Sequence, residues 1–299
     1  MALDLTALSD FNNETAGSVI PKIVYSGNTA EYTSVKSGIK YKEPLNLFSV
    51  DLEVQNGSGC VTTTSGSADF TQRDIQVVQR ASHDGLCLRD MDTKYLGISA
   101  LGAGSYNETF KFVGMYTDMI SNQMKKANES FLWNATSGVE GVDGLETLIS
   151  GSTAGVVVSG TADATLANLD TMISNIPSDV ADRDDLTIFM SISKFRQFVA
   201  NVRSANSYYF NPDSIQNRGG VLDMVYPYQN VRVVGTAGIT GDRIVIAPAK
   251  DIVIGTDLES DVDTFQTWYS LDDDKLYHRL VMKLGVQIAH PEWYISNDL

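Results

Sequence analysis

Between Leu276 and Ala289 the chain reads LYHRLVMKLGVQIA, with apolar side chains at every second position. Leu276, His278, Leu280, Met282, Leu284, Val286 and Ile288 share one face. Tyr277, Arg279, Val281, Lys283, Gly285, Gln287 and Ala289 share the other. A period of two belongs to a β-strand, whose successive side chains point to opposite faces. These 14 residues predict a strand of about 46 Å, where a typical strand has roughly five or six residues. An apolar face that long needs an equally long cover. LDDDK at 271–275 reads as a turn that folds the strand back on FQTWYS at 265–270, so the cover faces a hairpin.

A helix over 105–134 has the right length. Ser105 and Glu108 fit a capping box. Phe110, Val113, Tyr116, Ile120, Met124, Ala127 and Phe131 follow at steps of three or four, and Phe112, Met115 and Met119 widen the stripe. Some 28 helical residues span roughly 42 Å. A long helix lying on a long hairpin is therefore predicted, in an elongated layer. The pair Lys125-Lys126 falls on this helix as a solvated face.

Upstream, 45–90 reads as a two-stranded ribbon. Phe48, Val50, Leu52 and Val54 alternate with Ser49, Asp51, Glu53 and Gln55, the period of a half-buried strand, and FTQRDIQVVQRA at 70–81 returns after a Gly/Ser/Thr-rich break. Such a ribbon is marginal alone and needs a surface to lie on, for which a neighbouring subunit is one choice. Residues 1–44 read as an extended polar arm with no core of its own. Residues 141–261 alternate shorter elements: a helix over 164–175, a strand over 186–190, a helix capped by Ser193 with Phe195, Phe198, Val199 and Val202 on its face, and strands over 231–234, 244–247 and 252–254. Together they predict a compact α+β unit. Flexible joints are expected at 56–67 and 150–160.

Little in the chain carries chemistry. Against 22 Lys and Arg stand 37 Asp and Glu, a formal charge of −15, so no general attraction to phosphate backbones or anionic membranes follows. No apolar run reaches membrane-spanning length, and the opening MALDLTALSDFNNETAG does not read as a secretory signal. The sequons at Asn13, Asn107, Asn128 and Asn134 are accordingly not read as glycosylation sites. The three histidines, His83, His278 and His290, have no metal-ligand spacing. His278 falls on the apolar strand face as a core residue, and the other two read as surface residues in turns. Cys60 and Cys87 are too few for a disulfide scaffold and read as free thiols, with pairing left open. No Ser lies in G-x-S-x-G, and Gly102 and Gly104 do not complete a phosphate loop.

Asp257, Glu259, Asp261 and Asp263 alternate after the strand over 252–254. An EF-hand loop from Asp257 needs Gly at position 262 and Glu at 268, where the chain has Val262 and Trp268. These four acids read as a solvated loop, with inter-subunit charges and a weak cation site as the alternatives.

The order of polar arm, ribbon, long helix, compact α+β unit and terminal hairpin resembles the Hong Kong 97-type fold of tailed-bacteriophage major capsid proteins. GVDGLETLIS at 141–150, LDTMISNIPSDVADRDDLTIFMSISKFRQF, RIVIAPAKDIVIGTDLESDVDTFQTWYS and VMKLGVQIAHPEWYI carry the likeness, which spans about 45–295. The resemblance implies an α+β capsid fold with an N-terminal arm at 1–44 and an extension loop at 45–92. It puts a peripheral domain at 93–140 with 262–299, and an axial domain at 141–261. It implies a homo-oligomer of pentamers and hexamers, an icosahedral virion shell assembled in the host cytoplasm around double-stranded DNA. That DNA is held without sequence-specific binding. Neither a catalytic residue nor a cofactor nor a membrane enters this reading. The chain opens without a long helical leader, so the resemblance implies a separate scaffolding protein, with a portal as a further partner. Two other readings stand beside it: an encapsulin-type cargo compartment on the same fold, and a cation-dependent enzyme using the 257–263 acids.

Overall fold

The structure, a computed structural model, describes residues 29–52, 66–87, 108–151, 155–160, 163–205, 216–218, 221–226, 231–257, 266–270, 272 and 275–297. The first half holds β1 (Ser34–Lys36), β2 (Lys42–Asp51), β3 (Ser67–Gln76), β4 (Val78–Cys87), α1 (Glu108–Asn134), α2 (Ser137–Glu140) and α3 (Leu145–Ser150). Next come β5 (Val156–Val158), α4 (Leu166–Ser174), β6 (Leu186–Ser191), α5 (Ile192–Ala205), β7 (Gln216–Arg218), β8 (Val221–Val225) and β9 (Arg232–Thr236). The chain continues with β10 (Ile244–Pro248), β11 (Ile252–Thr256), β12 (Gln266–Ser270), β13 (Lys275–Ile288) and β14 (Ile295–Asn297).

The 14-residue strand forms as its alternation predicts, as β13. His278, Leu280, Met282, Leu284, Val286 and Ile288 are buried. β13 is long enough to serve three partners. β4 runs along one edge from Val78 to Cys87. On the other edge, β12 pairs with 275–279 and β11 with 284–288. β11 therefore lies in the sheet of the long hairpin, not beside β10 in the compact unit where its position in the sequence put it. The reason is geometric: the connection Ala249–Asp251 turns the chain between two sheets.

The second sheet has the order β5-β14-β10-β6-β9-β8-β7. Its edge contains two strands the sequence did not suggest: β14, from the C-terminal end, and β5, from the stretch expected to be a flexible joint. β6 is buried throughout, so its LTIFMS reads apolar without alternation. α4 and α5 cover it through Leu169, Met172, Ile173, Phe195, Phe198 and Val202. The cap of α5 is Ser191, whose Oγ accepts from Lys194 N–H at 3.3 Å, rather than Ser193. Thr165 caps α4 in the same way, accepting from Asn168 N–H.

α1 has 27 residues, about 40 Å, and its C-terminal half covers the long sheet. Ser105 lies outside the described residues. Asn128 donates to Met282 Sδ at 3.3 Å, and the Arg80 guanidinium sits 4.0 Å over the Phe131 ring. The buried line on this half runs Met124, Asn128, Phe131, Leu132 and Ala135, while Ala127 faces out. Lys126 is exposed and Lys125 half-buried. Trp133 is fully buried between the sheets, with Phe189 at 5.6 Å and Gly238 so close that a Cβ there would run into the indole Cδ1.

Part of the expected arm belongs to the body. Thr29 N–H and Oγ donate to the two oxygens of Glu129 at 3.0 and 2.7 Å, and Trp133 Nε1 donates to Thr29 Oγ1 at 2.8 Å. β1 pairs in parallel with β11, and Tyr32 OH donates to Asp223 at 3.1 Å. The local sequence is polar, so this anchoring shows only through partners a hundred or more residues away in the chain.

Candidate assembly surface

The ribbon forms from β2 and β3, paired without a break from Lys42↔Gln76 to Asp51↔Ser67. Its return strand does not run on as one piece. It breaks at Val77, and the next ten residues, through Cys87, leave the ribbon to pair with β13. His83 therefore sits on a strand, stacked on Tyr277 at 5.7 Å, not in a turn.

The two faces of the ribbon have different fates. Phe48 opposes Phe70 with ring centroids 4.4 Å apart, and Val50 opposes Ala68. The alternation predicted this face to be half-buried. In the single chain it is open: Phe48 is 55% exposed, Val50 58% and Phe70 79%, with Leu52 next to it at 73%. Val54 and Cys60 lie outside the described residues, as does most of the expected 56–67 joint. The other face, near the base, is covered. Ile75 and Val77 are buried with Ile39, and Leu45 and Val253 pack against them.

The base is seated in a notch made by two glycines. Gly255 on β11 pairs directly with Gly285 on β13. A Cβ on Gly255 would meet Ile75, Val77 and Ile39 side-chain atoms at 2.9, 2.9 and 3.0 Å, and one on Gly285 would run into the Gln76 carbonyl. An isolated glycine inside a strand signals close approach of another backbone. Gly285 carries that signal inside an otherwise regular alternation.

Charged side chains surround the notch. Asp257 is 2% exposed, and its carboxylate meets Lys40 Nζ at 3.2 Å and Lys283 Nζ at 2.7 Å. Asp257 is therefore neither a solvated loop residue nor a charge waiting for a neighbouring chain. Burial is tolerated because two ammonium groups face it. Glu259, Asp261 and Asp263 lie outside the described residues. Among the described residues no three His, Cys, Asp or Glu side chains converge as a metal-binding group. Lys36–Glu43 and Lys42–Asp74 add two further pairs at the base.

The remaining histidines are structural. His278 is 4% exposed, with Nε2 3.3 Å from Ser82 Oγ. Burial pushes its ring below the ordinary histidine value, with His83 adding to the effect and Asp84 opposing it. The folded state thus prefers the neutral ring, and its stability falls as pH drops below about 6.5. A His278→Gln variant is expected to show a flatter Tm-versus-pH curve between pH 7 and 5 than the parent chain; parallel curves would count against this assignment. His290 is half-buried, its Nδ1 2.6 Å from Asp251 Oδ1 and its ring stacked 3.9 Å from Trp293.

Neither a family model nor a curated protein sequence matches the chain. Solved structures do. A capsid chain of the empty GTA particle aligns over 91% of this chain and 89% of its own, with a TM-score of 0.58 and 10% identity. The satellite phage P4 procapsid aligns over 99% and 98%, with a TM-score of 0.57 and 10% identity. The chain has the Hong Kong 97-type capsid fold. A virus-like particle from Pyrococcus furiosus shares this capsid fold over 95% of this chain and 98% of its own, with a TM-score of 0.54 and 10% identity. In the present capsid fold no described helix is long and apolar enough to cross a membrane.

Proposed function

We propose that this chain is a major capsid protein that assembles with its own copies, as pentamers and hexamers, into an icosahedral shell around double-stranded DNA. The observation that carries the reading is the ribbon: its base is locked into the body while its tip offers Phe48, Val50 and Phe70 to solvent. A fold that buries one end of a ribbon and leaves the aromatic end bare has a face to fill with another molecule. In a symmetric assembly the same face repeats on every copy.

In this reading β2 and β3 are the extension loop. α1 with the sheet of β13 forms the peripheral domain, and the sheet centred on β6 forms the axial domain. A separate scaffolding protein and a portal would act with it, in the host cytoplasm, and its role is structural rather than catalytic. The similar structures are a capsid, a procapsid and a virus-like particle, which supports a shell role, and a cargo compartment on the same fold stands as the second reading.

The test is size-exclusion chromatography with light scattering, followed by electron microscopy, with and without a co-expressed scaffolding protein. Closed shells, or rings of five and six, are the expected result. A monomer under all conditions would overturn it. Shells filled with protein and free of DNA when produced in the native host would favour the compartment. Deleting residues 56–67 is expected to impair shells more than subunit folding.

A further inference from the structure

Two connections carry the ribbon: residues 37–41, between β1 and β2, and the single residue Val77, between β3 and β4. Between them the ten paired positions of β2 and β3 form one stiff lever. Several contacts fix the angle at which that lever leaves the body: Gln287 Nε2 of β13 donates to the Asp74 carbonyl at 2.8 Å, and Lys36 of β1 pairs with Glu43 of β2. Ile39 N–H donates to Thr256 O at 3.1 Å and Val77 N–H to Tyr41 O at 2.9 Å. The small cluster of Ile39, Ile75 and Val77 sits over the Gly255–Gly285 notch. A further tie is electrostatic and joins three charges. Asp257, at the end of β11, holds Lys40 of one connection and Lys283 of the body strand at once, and Lys283 Nζ also donates to the Lys40 carbonyl at 3.1 Å.

We propose that Lys40, Asp257 and Lys283 form a latch that sets the angle of the ribbon, and that the glycine notch is its pivot. The physical argument is asymmetry. Lys283 and Asp257 both belong to the sheet side, so their pair persists at any ribbon angle. The Lys40 ammonium comes from the ribbon connection, and its side chain is 69% exposed, so water can take over its charge when it leaves. Opening the latch therefore leaves no stranded ammonium, and Asp257 keeps one partner. Nothing comparable protects the main core, where opening would strip Trp133 and Phe189 of their cover. The ribbon can thus change angle while both sheets stay folded. For the shell this supplies a way for one sequence to occupy positions of different curvature, a consequence that rests on the capsid reading; the latch itself does not.

Amide hydrogen exchange of the full-length subunit, kept below assembly concentration, tests the latch directly. Lys40→Gln removes the Lys40–Asp257 ion pair, leaves the Lys283 bond to the residue-40 carbonyl, and should speed exchange at Ile39 and Val77 about threefold. Asp257→Asn, which leaves both lysines without their carboxylate, should speed it about a hundredfold. Amides of β6 should keep their parent rates in both variants. Unchanged rates at Ile39 and Val77 in the Lys40→Gln chain would overturn the latch, and so would an equal rise across the whole chain. If Asp257→Asn fails to fold, Lys40→Gln still decides. Electron microscopy of the same variants separates the two readings: no shells from the parent chain would refute the capsid function and leave the exchange result standing. A broader spread of shell diameters with Lys40→Gln is expected if both hold.

Discussion

Replacing Phe48 and Phe70 together by serine is expected to abolish particle formation while leaving the melting temperature of the free subunit within about 2 °C of the parent. The two rings touch each other and little else in the single chain. Removing them costs the subunit one cross-strand pair, worth under about 1 kcal/mol. In a shell each ring would be buried by a neighbour, contributing about 1.5–3 kcal/mol apiece. That loss recurs on every copy, so its effect on assembly multiplies while its effect on folding does not. Light scattering and thermal melting on the same preparation check both halves. Normal shells from the double variant would remove the ribbon tip from the assembly surface. A large drop in melting temperature would show that the tip packs on its own chain.

Gly285→Val should do the reverse, damaging the subunit itself. Its side chain would collide with the Gln76 carbonyl and come within 3.0 Å of Val77 Cα, closer than van der Waals contact, and backbone cannot rotate aside as a side chain can. The ribbon base must lift from the notch, which uncovers Ile39 and Ile75. A cost of about 2–3 kcal/mol is expected, seen as a fall in melting temperature of roughly 3–5 °C. Gly138→Ala is the control: no atom lies within 4 Å of its Cβ position, and it sits in α2. An unchanged melting temperature for Gly285→Val would mean that the ribbon does not press on this strand.

Glu146 offers an effect of opposite sign to that of His278. Burial holds its carboxyl above the ordinary range, with Arg243 and the Thr240 amide opposing. Its charged form at neutral pH is therefore a burden that acidification relieves.

Long-period patterns were readable in the residue order. The alternation of 276–289 specifies β13 and its buried face, because each strand position reports a side independently of its partners. The apolar stripe of 105–134 specifies α1 for the same reason, although the stripe was placed one position away at Ala127, where Asn128 is the buried residue. The order of these pieces was enough to suggest the capsid fold. What only the tertiary structure decided were matters of pairing. Asp257 looked like the first of four solvated acids until Lys40 and Lys283, far off in sequence, were placed against it. β5, β14 and the new course of the chain after Val77 are short or polar, and gain strand structure from neighbours rather than from their own pattern. The apolar alternation around Phe48 marks a face that wants cover, but a period of two cannot say whether the cover belongs to the same molecule. Here the chain covers the base of the ribbon and leaves Phe48, Val50 and Phe70 open, because the glycine notch that receives apolar side chains lies beneath Ile39, Ile75 and Val77.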